Sequence, residues 1–143
     1  MKLHLILYFL FPLVFLSAQN APEIKFASVS NAGPTAWTEE LKISISYFDA
    51  DGDLGENANG IENLFVSDSR NQIQYPYRIR KLLADDKQGS IKGLIELIID
   101  YVPVINPNLP FEEVVYSVWV IDRKGLKSNT VETMKLKVLN ERK

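Results

Sequence analysis

The segment Leu-Lys-Ile-Ser-Ile-Ser-Tyr at residues 41–47 is the clearest indication of the fold. Apolar side chains occupy every second position, and lysine or serine occupies the positions between them. Successive side chains of a β-strand point to opposite faces of its sheet, so the pattern predicts a strand with one face on a core and one in water. Residues 91–100 also alternate, but with apolar residues on both faces, which predicts a central, covered strand.

Five further segments show the same period of two, and clusters of Gly, Pro, Asn and Asp separate all seven. Seven short strands in about 120 residues are typical of a β-sandwich, because the strands are short and the linkers show no helical pattern that would form crossover helices. The sequence therefore predicts an all-β protein, a single immunoglobulin-like antiparallel Greek-key β-sandwich of about seven strands. The predicted strands are 24–28, 41–48, 64–67, 73–79, 91–100, 114–121 and 134–138.

The N-terminus has the pattern of a secretory signal peptide. A short basic start precedes an apolar run at residues 5–16, and small residues follow it. A membrane-spanning helix needs about 20 apolar residues, and Pro12 would interrupt this run. We therefore expect residues 1–18 to be a signal peptide and residues 19–143 to form one domain. The protein would be exported: periplasmic, outer-membrane-associated or secreted.

The composition excludes chemistry that depends on imidazole or thiol groups. The chain has 143 residues, no cysteine and one histidine, His4, which lies in the predicted signal peptide. Ser/His/Asp and Cys/His catalysis, His or Cys zinc sites and disulfides are therefore excluded for the exported domain. Adjacent acidic residues such as Glu112 and Glu113 point to opposite faces of a strand and form no acid–base couple. We predict that the protein is not an enzyme.

The charge distribution argues against nucleic acid as a partner. The chain has 16 Lys and Arg against 18 Asp and Glu, a formal net charge of -2. Binding a phosphate backbone requires clustered basic residues, whereas the densest basic run, residues 78–81, is short and includes an apolar residue.

An acidic segment directly after the first of these strands is the candidate binding site. Asp49, Asp51 and Asp53 are spaced two apart, with Gly52 between the last two. Carboxylates this close repel one another unless a cation screens them, and glycine lets the backbone curl so that several oxygens converge. Calcium takes six to eight oxygen ligands and is the candidate cofactor. The segment is not an EF-hand loop, because its sixth residue, counted from Asp49, is not the required glycine.

The predicted fold adds a fourth carboxylate. Loops that follow the second and sixth strands of an immunoglobulin-like sandwich lie at the same end. Asp122 follows the predicted sixth strand, so it would join Asp49, Asp51 and Asp53 as a metal ligand. The alternative is that these Asp and Gly residues form a hydrated turn that binds no ion. Both interpretations remain open from the sequence.

Two loop motifs resemble those of a known group of proteins. Residues 48–55, Phe-Asp-Ala-Asp-Gly-Asp-Leu-Gly, follow one strand, and residues 120–129, Val-Ile-Asp-Arg-Lys-Gly-Leu-Lys-Ser-Asn, lie between the last two. The pair is similar to loops of small exported immunoglobulin-like (PKD-like and cadherin-like) proteins and lipoproteins of Bacteroidota-type bacteria. The resemblance implies an interaction role at the envelope or surface, without known catalysis.

We therefore predict an exported, non-catalytic protein interaction or structural module of the cell envelope, with calcium stabilising one end. The expected partner is an envelope or surface protein or a glycan, with no nucleic acid and no permanent membrane span. Apolar residues on the outer faces, among them Leu94, Ile98 and Trp119, predict a protein-binding patch. The alternative function is a carbohydrate- or small-ligand-binding module that uses exposed aromatic side chains, with Trp119 and Trp37 as the candidates.

Overall fold

A computed structural model describes residues 20–30, 35–36, 40–57, 60–80, 82 and 89–140 of the chain. The predicted signal peptide, residues 1–18, and Trp37 lie outside these residues. The described part contains no α-helix, and none of it forms a helix long and apolar enough to cross a membrane. Its strands are β1 (Glu23–Val29), β2 (Thr35–Ala36), β3 (Leu41–Asp49), β4 (Leu64–Asp68), β5 (Gln74–Tyr77), β6 (Ile91–Ile99), β7 (Phe111–Val114), β8 (Tyr116–Val120), β9 (Val131–Glu132) and β10 (Leu136–Leu139).

The first layer is a three-stranded antiparallel sheet in the order β1-β3-β6. Its middle strand, β3, contains the alternating segment from which the fold was predicted. Ile43 and Ile45 are both 0% exposed, and Leu41 is 1% exposed. Ile45 pairs with Phe26 of β1 on one side and with Ile95 of β6 on the other. Strand β3 is therefore the central strand of this layer, and its apolar face is buried in the core.

The second layer consists of two sheets that continue each other, in the orders β5-β4-β8-β9 and β2-β10-β7. Strands β7 and β8 are one strand interrupted at Val115, and β9 and β10 are its neighbour, interrupted at residues 133–135. Thr133 joins the two strands at the interruption. Its backbone N–H donates to the carbonyl of Tyr116 at 2.9 Å, and its hydroxyl accepts the N–H of Tyr116 at 3.0 Å.

Apolar side chains from both layers form one core. Ile43 and Ile45 from the first layer, and Val66 and Val120 from the second, are each 0% exposed. Burying one such side chain stabilises the fold by about 1.5–3 kcal/mol relative to leaving it in water. The prediction of an all-β sandwich is confirmed, whereas the Greek-key connections and the signal peptide stay predictions.

The structure corrects the prediction for β6. In the described residues β6 is an edge strand of its layer, not a central one. Leu94 and Ile98 on its outer face are 64% and 42% exposed, so the second apolar row that suggested a cover lies in solvent. Pro76, by contrast, lies in β5, which is an edge strand of the second layer, as expected for a residue that lacks a backbone donor.

The predicted single apolar patch is also wrong. Leu94 and Ile98 lie on the outer face of the first layer. Trp119 lies on β8, next to Phe65 of β4, at the positions of these strands that alternate with the core residues of the second layer. Since the two layers face each other, their outer faces point in opposite directions, and these residues cannot form one surface.

A buried ionic cluster, which we call the arginine cluster, lies near the start of β8. It consists of Arg70, Asp68 and Glu112, and both carboxylates pair with the guanidinium, at 2.7 Å for Asp68 and 3.1 Å for Glu112. Asp68 is 0% exposed and Glu112 is 8% exposed. Arg70 also donates to the carbonyl of Pro103 at 3.0 Å. The arginine cluster therefore ties the turn after β4 to β7 and to the segment that follows β6.

Candidate metal centre

The candidate centre begins where β3 ends. Asp49 is the last residue of β3, pairs with Ile91 at the start of β6, and is 0% exposed. Its Oδ2 accepts the backbone N–H of Leu54 at 2.6 Å, so the chain curls over residues 50–53. Leu54 is itself buried, at 1% exposure, and anchors the far end of this turn in the core. Local hydrogen bonding and apolar burial together set the shape of residues 49–57, which we call the acidic loop.

Glycine is required inside this loop. Gly52 has a φ of 71°, in the left-handed region that residues with a Cβ rarely adopt. A Cβ on Gly52 would lie 1.7 Å from the carbonyl oxygen of Gly89, so the backbone just before β6 passes directly against the loop. The close approach leaves no room for any side chain at this position and holds the loop on its path.

Asp49, Asp51 and Asp53 converge on one small volume. One carboxylate oxygen from each lies within 4.8 Å of the corresponding oxygen of the other two. Calcium–oxygen distances are about 2.3–2.6 Å, so two ligands on opposite sides of one ion lie about 5 Å apart. These three aspartates could therefore hold a single metal ion, as their spacing predicted.

Several buried oxygens here have no hydrogen-bond partner. Of the residues that the structure describes, every buried side-chain polar atom without a partner belongs to the acidic loop or to Asp122. Buried polar atoms are nearly always paired, because an unpaired acceptor costs about 1–3 kcal/mol. The orphaned atoms are Asp49 Oδ1, Asp51 Oδ1, Asp53 Oδ1, Asn57 Oδ1 and Asp122 Oδ2. Asp53 Oδ2 also accepts no hydrogen bond, but it lies 3.2 Å from Lys124 Nζ and is paired with that charge.

Asp122 lies at the same end of the sandwich as the acidic loop. It is 2% exposed, and its Oδ1 accepts the backbone N–H groups of Lys124 at 2.9 Å and Leu126 at 2.8 Å. This bonding holds the carboxylate in one orientation and leaves Oδ2 without a partner. Burial raises the pKa of Asp53, and the charge of Asp122 raises it further, so the two carboxylates are within electrostatic reach of each other.

Arg123 joins the two loops through their backbones. Its N–H and its Nε donate to the carbonyl of Asp53 at 3.2 Å and 2.8 Å, and a terminal nitrogen of its guanidinium donates to the carbonyl of Gly52 at 3.1 Å. Because these acceptors are carbonyls, the arginine leaves the aspartate oxygens available. Arg123 is not among the site residues predicted from the sequence, although a basic pair directly after Asp122 is a visible signal.

Lys124, the other residue of that pair, contacts the carboxylates directly. Its Nζ lies 2.5 Å from Asp51 Oδ2 and 3.2 Å from Asp53 Oδ2, and its side chain is 37% exposed. Counting four aspartates against Arg123 and Lys124, the net charge of the site is -4 + 2 = -2 when all six groups are ionised. One divalent cation would neutralise this charge.

The pKa values of the acidic groups reflect the same imbalance. Burial raises the pKa of Asp49 most strongly, the N–H of Leu54 opposes the shift, and the nearby Asp51 and Asp53 raise it further. Lys124, by contrast, lowers the pKa of Asp51. One lysine thus compensates the outer carboxylate, while burial and repulsion disfavour the charged form of the inner one.

All candidate ligands are oxygens. Glu56 is engaged elsewhere, because Arg78 donates to its carboxylate at 2.7 Å. Asn57 remains as a further oxygen donor in the same loop, with a buried and unpartnered Oδ1. Carboxylate and amide oxygens favour hard cations such as Ca²⁺ and Mg²⁺ over zinc or copper.

Trp119, the first candidate for aromatic ligand binding, is already in contact with other side chains of the protein. The ring stacks on Phe65, with centroids 5.6 Å apart and planes inclined by 12°, and Lys127 Nζ lies 4.5 Å from the Trp119 ring centroid. Trp119 is therefore a packed cross-strand partner rather than an open platform. Trp37, the second candidate, lies outside the described residues.

No family model, curated protein or solved structure matches the chain. What the protein does must therefore be inferred from its own residues.

Proposed function

We propose that this protein is an exported, non-catalytic interaction or structural module of the cell envelope, and that calcium binds between its acidic loop and Asp122. The observation that supports the ion most strongly is the group of buried carboxylate oxygens without partners. A plain hydrated turn would leave its carboxylates in solvent, whereas Asp49 is 0% exposed and Asp122 is 2% exposed. Buried carboxylates require a paired charge, and within the described residues Lys124 pairs with Asp51 and Asp53 but not with Asp49 or Asp122.

Calcium fits these ligands better than magnesium does. Magnesium requires a nearly ideal octahedron at about 2.0–2.1 Å and usually keeps several waters. Calcium accepts six to eight oxygens in flexible geometry, which suits aspartates that come from two different loops. Asp49, Asp51 and Asp53 would supply carboxylate oxygens that already converge. Asp122 lies outside that converging group and would add its unpartnered Oδ2, with Asn57 or backbone carbonyls as further donors.

An ion at this position would connect the two layers of the sandwich. Asp49 ends β3 of the first layer, whereas Asp122 follows β8 of the second. Without an ion, the loops are held by the Arg123 bonds and by a lysine that is partly exposed to solvent. A shared cation would add bonds from both layers to one centre and so stiffen this end of the protein for contact with a partner.

The calcium proposal is tested by measuring unfolding with calcium and with chelator. Calcium that binds only the folded state stabilises it by RT ln(1 + [L]/Kd), about 2.7 kcal/mol at a free concentration about 100 times Kd. The isosteric variants Asp53→Asn and Asp122→Asn should lose most of this gain. Glu96→Gln is the matched control, since it removes the same charge from an exposed position on β6.

A stability that is unchanged by millimolar calcium would contradict the calcium site. An equal calcium response in the two aspartate variants and in Glu96→Gln would also contradict it, because the ion would then act on general surface charge.

The interaction role is supported by the signal-peptide pattern, by the absence of imidazole and thiol from the exported sequence, and by the resemblance of the loops to envelope modules. Its test is affinity capture from an envelope extract, in parallel with calcium and with chelator. We expect a defined envelope protein to be retained, and to be retained more weakly by Asp122→Asn. Retention of no protein under either condition would contradict a protein-binding role without bearing on the ion.

A further inference from the structure

A cavity rich in tyrosine lies away from the candidate metal centre. Its volume is about 190 Å³, and four tyrosines and one carboxylate contribute to its lining. Tyr75 and Tyr77 come from β5, Tyr116 begins β8, and Asp100 and Tyr101 directly follow β6. No part of the metal centre contributes to this lining.

The cavity lies beside an edge strand of each layer, next to Pro103, whose carbonyl accepts a hydrogen bond from Arg70. Strand β5 is an edge of the second layer, and β6 is an edge of the first. On the other side of the sandwich, Asn129 bridges the layers by bonding both the N–H and the carbonyl of Ile24 in β1, each at 2.9 Å. The tyrosine cavity therefore opens between edge strands, where a ligand can enter without separating paired strands.

The side chains that line the cavity become more exposed to solvent from its interior to its rim. Tyr116 is 1% exposed and forms the deepest wall, Tyr75 and Tyr77 are half-buried, and Tyr101 is 58% exposed. Asp100, beside Tyr101, is also exposed. This gradient gives the cavity an aromatic interior and an acidic, aromatic rim.

The charge around the cavity is negative. Among the described residues, the lining contains no lysine or arginine, and its charged member is Asp100. Arg70 lies near Tyr116, but its charge is already paired with both Asp68 and Glu112 in the arginine cluster. Burial, and then the charge of Asp100, raises the pKa of Tyr77, which indicates that the Asp100 charge acts inside the cavity.

Elsewhere the chain supplies its own cations to aromatic rings. Lys127 Nζ lies 4.5 Å from the Trp119 ring centroid, and Lys137 Nζ lies 3.8 Å from that of Phe111. A cation over a ring face is attracted by the negative face of the π-system. The tyrosine cavity combines more rings with a carboxylate, and none of the described residues that line it is a cation.

We propose that the tyrosine cavity binds a small organic cation, an alkylammonium group of the quaternary or methylated type. Several aromatic rings with an adjacent carboxylate are the arrangement that recognises quaternary ammonium ligands. The volume excludes larger ligands, since pockets for drug-sized molecules measure about 300–1,000 Å³. The apolar methyl groups would contact the tyrosine rings, while Asp100 balances the charge.

The test is a titration of the purified protein with choline, followed by NMR of its tyrosine ring signals. The neutral carbon isostere of choline, in which a quaternary carbon replaces the nitrogen, has the same shape and is the control ligand. We expect choline to shift signals of Tyr75, Tyr77 and Tyr101 and to bind about tenfold more tightly than the isostere. Equal binding of the two ligands, or no shift with choline, would overturn the proposal.

Two exposed positions supply variants that are expected to fold. Tyr101→Ala and Asp100→Asn should each weaken choline binding about fivefold to tenfold. Phe48→Ala and Glu96→Gln are the matched controls, because they remove an exposed ring and an exposed carboxylate from other parts of the first layer. Equal affinity in variants and controls would overturn the assignment of the cavity.

Two further measurements are needed. One distinguishes a lipid headgroup from a free solute as the source of the cation, and the other distinguishes a cation from a sugar as the ligand. Co-sedimentation with phosphatidylcholine vesicles, but not with phosphatidylglycerol vesicles, would identify a lipid headgroup as the source. Choline binding without vesicle binding would identify a free solute, and either result supports the proposal. If glucose shifts the same tyrosine signals and choline does not, the cavity is a sugar site and the proposal is wrong.

Discussion

The two ends of strand β8 bury carboxylates in opposite ways. Near its start, every carboxylate oxygen of Asp68 and Glu112 has a donor, from Arg70 or from a backbone N–H group. After its end, Asp122 and the acidic loop place several carboxylate oxygens in the interior without one. At the first end every carboxylate oxygen is paired, whereas the second end has buried carboxylate oxygens that could hold a metal ion.

The difference follows from the basic side chain at each end. Arg70 presents a planar fork that is fixed between two acids, and its side chain is only 8% exposed. Lys124 carries one flexible ammonium group on a side chain that is 37% exposed, and among the described residues it pairs with Asp51 and Asp53. The buried arginine thus pairs all the acidic groups around it, while the partly exposed lysine leaves carboxylate oxygens that a metal ion could bind.

The largest effect is expected where the arginine cluster is broken. Arg70→Met removes the shared donor and leaves two buried carboxylates uncompensated, which should lower the free energy of unfolding by about 3–5 kcal/mol. Urea unfolding measures this loss, and calcium should leave the difference from the unmodified protein unchanged, because its candidate ligands lie at the other end of β8. Full rescue of Arg70→Met by calcium would show that the two ends are not independent.

The next prediction is that, without calcium, removing a carboxylate charge has opposite effects on stability at the two ends of β8. In chelator, Asp53→Asn should be at least as stable as the unmodified protein, since it removes a repelling charge, and Glu112→Gln should be less stable. With calcium at about 100 times Kd, the unmodified protein should gain about 2.7 kcal/mol, Asp53→Asn should gain little, and Glu112→Gln should gain the full amount. Thermal unfolding of the three proteins, with and without calcium, checks this reversal. A loss of stability for Asp53→Asn in chelator would mean that the contact with Lys124 outweighs the repulsion between the carboxylates.

These contrasts show what the sequence could predict. The alternation at residues 41–47 predicted β3 correctly, because one face of that strand is buried and the pattern is local. The same rule was misleading for β6, where Leu94 is apolar although it is 64% exposed. Periodicity identifies the faces of a strand but does not show whether a second layer covers them.

The candidate site divides in the same way. Asp49, Asp51 and Asp53 are close in sequence, so their spacing was sufficient to bring them together. The roles of Arg123 and Lys124 depend on how two loops about 70 residues apart pack, as their bonds to Asp53 and Asp51 show. Residue spacing carries no information on such contacts, and the same is true of the pair Arg70 and Glu112.

A smaller effect concerns the path of the acidic loop. Gly52→Ala places a Cβ against the Gly89 carbonyl and strains a positive φ, so it should cost more than the 1–2 kcal/mol or so of the left-handed conformation alone. Gly125→Ala is the matched control, since its φ is also positive, at 85°, but nothing lies within 4 Å of the added Cβ. Urea unfolding should show the larger loss for Gly52→Ala, together with weaker calcium binding. Equal losses in the two variants would mean that the loop shifts to accept the methyl group.

The smallest and most specific effect is expected at Lys124. Its ammonium group and a calcium ion would compete for Asp51 Oδ2 and Asp53 Oδ2, so Lys124→Gln should bind calcium a few fold more tightly. Lys127→Gln is the control, because it removes the same charge from the same turn, at a side chain that contacts Trp119. Calorimetric titration should show a greater gain for Lys124→Gln than for Lys127→Gln. Equal gains in calcium affinity would mean that Lys124 affects the ion only through long-range electrostatics. Weaker binding by Lys124→Gln would mean that Lys124 holds the ligands in place for the ion.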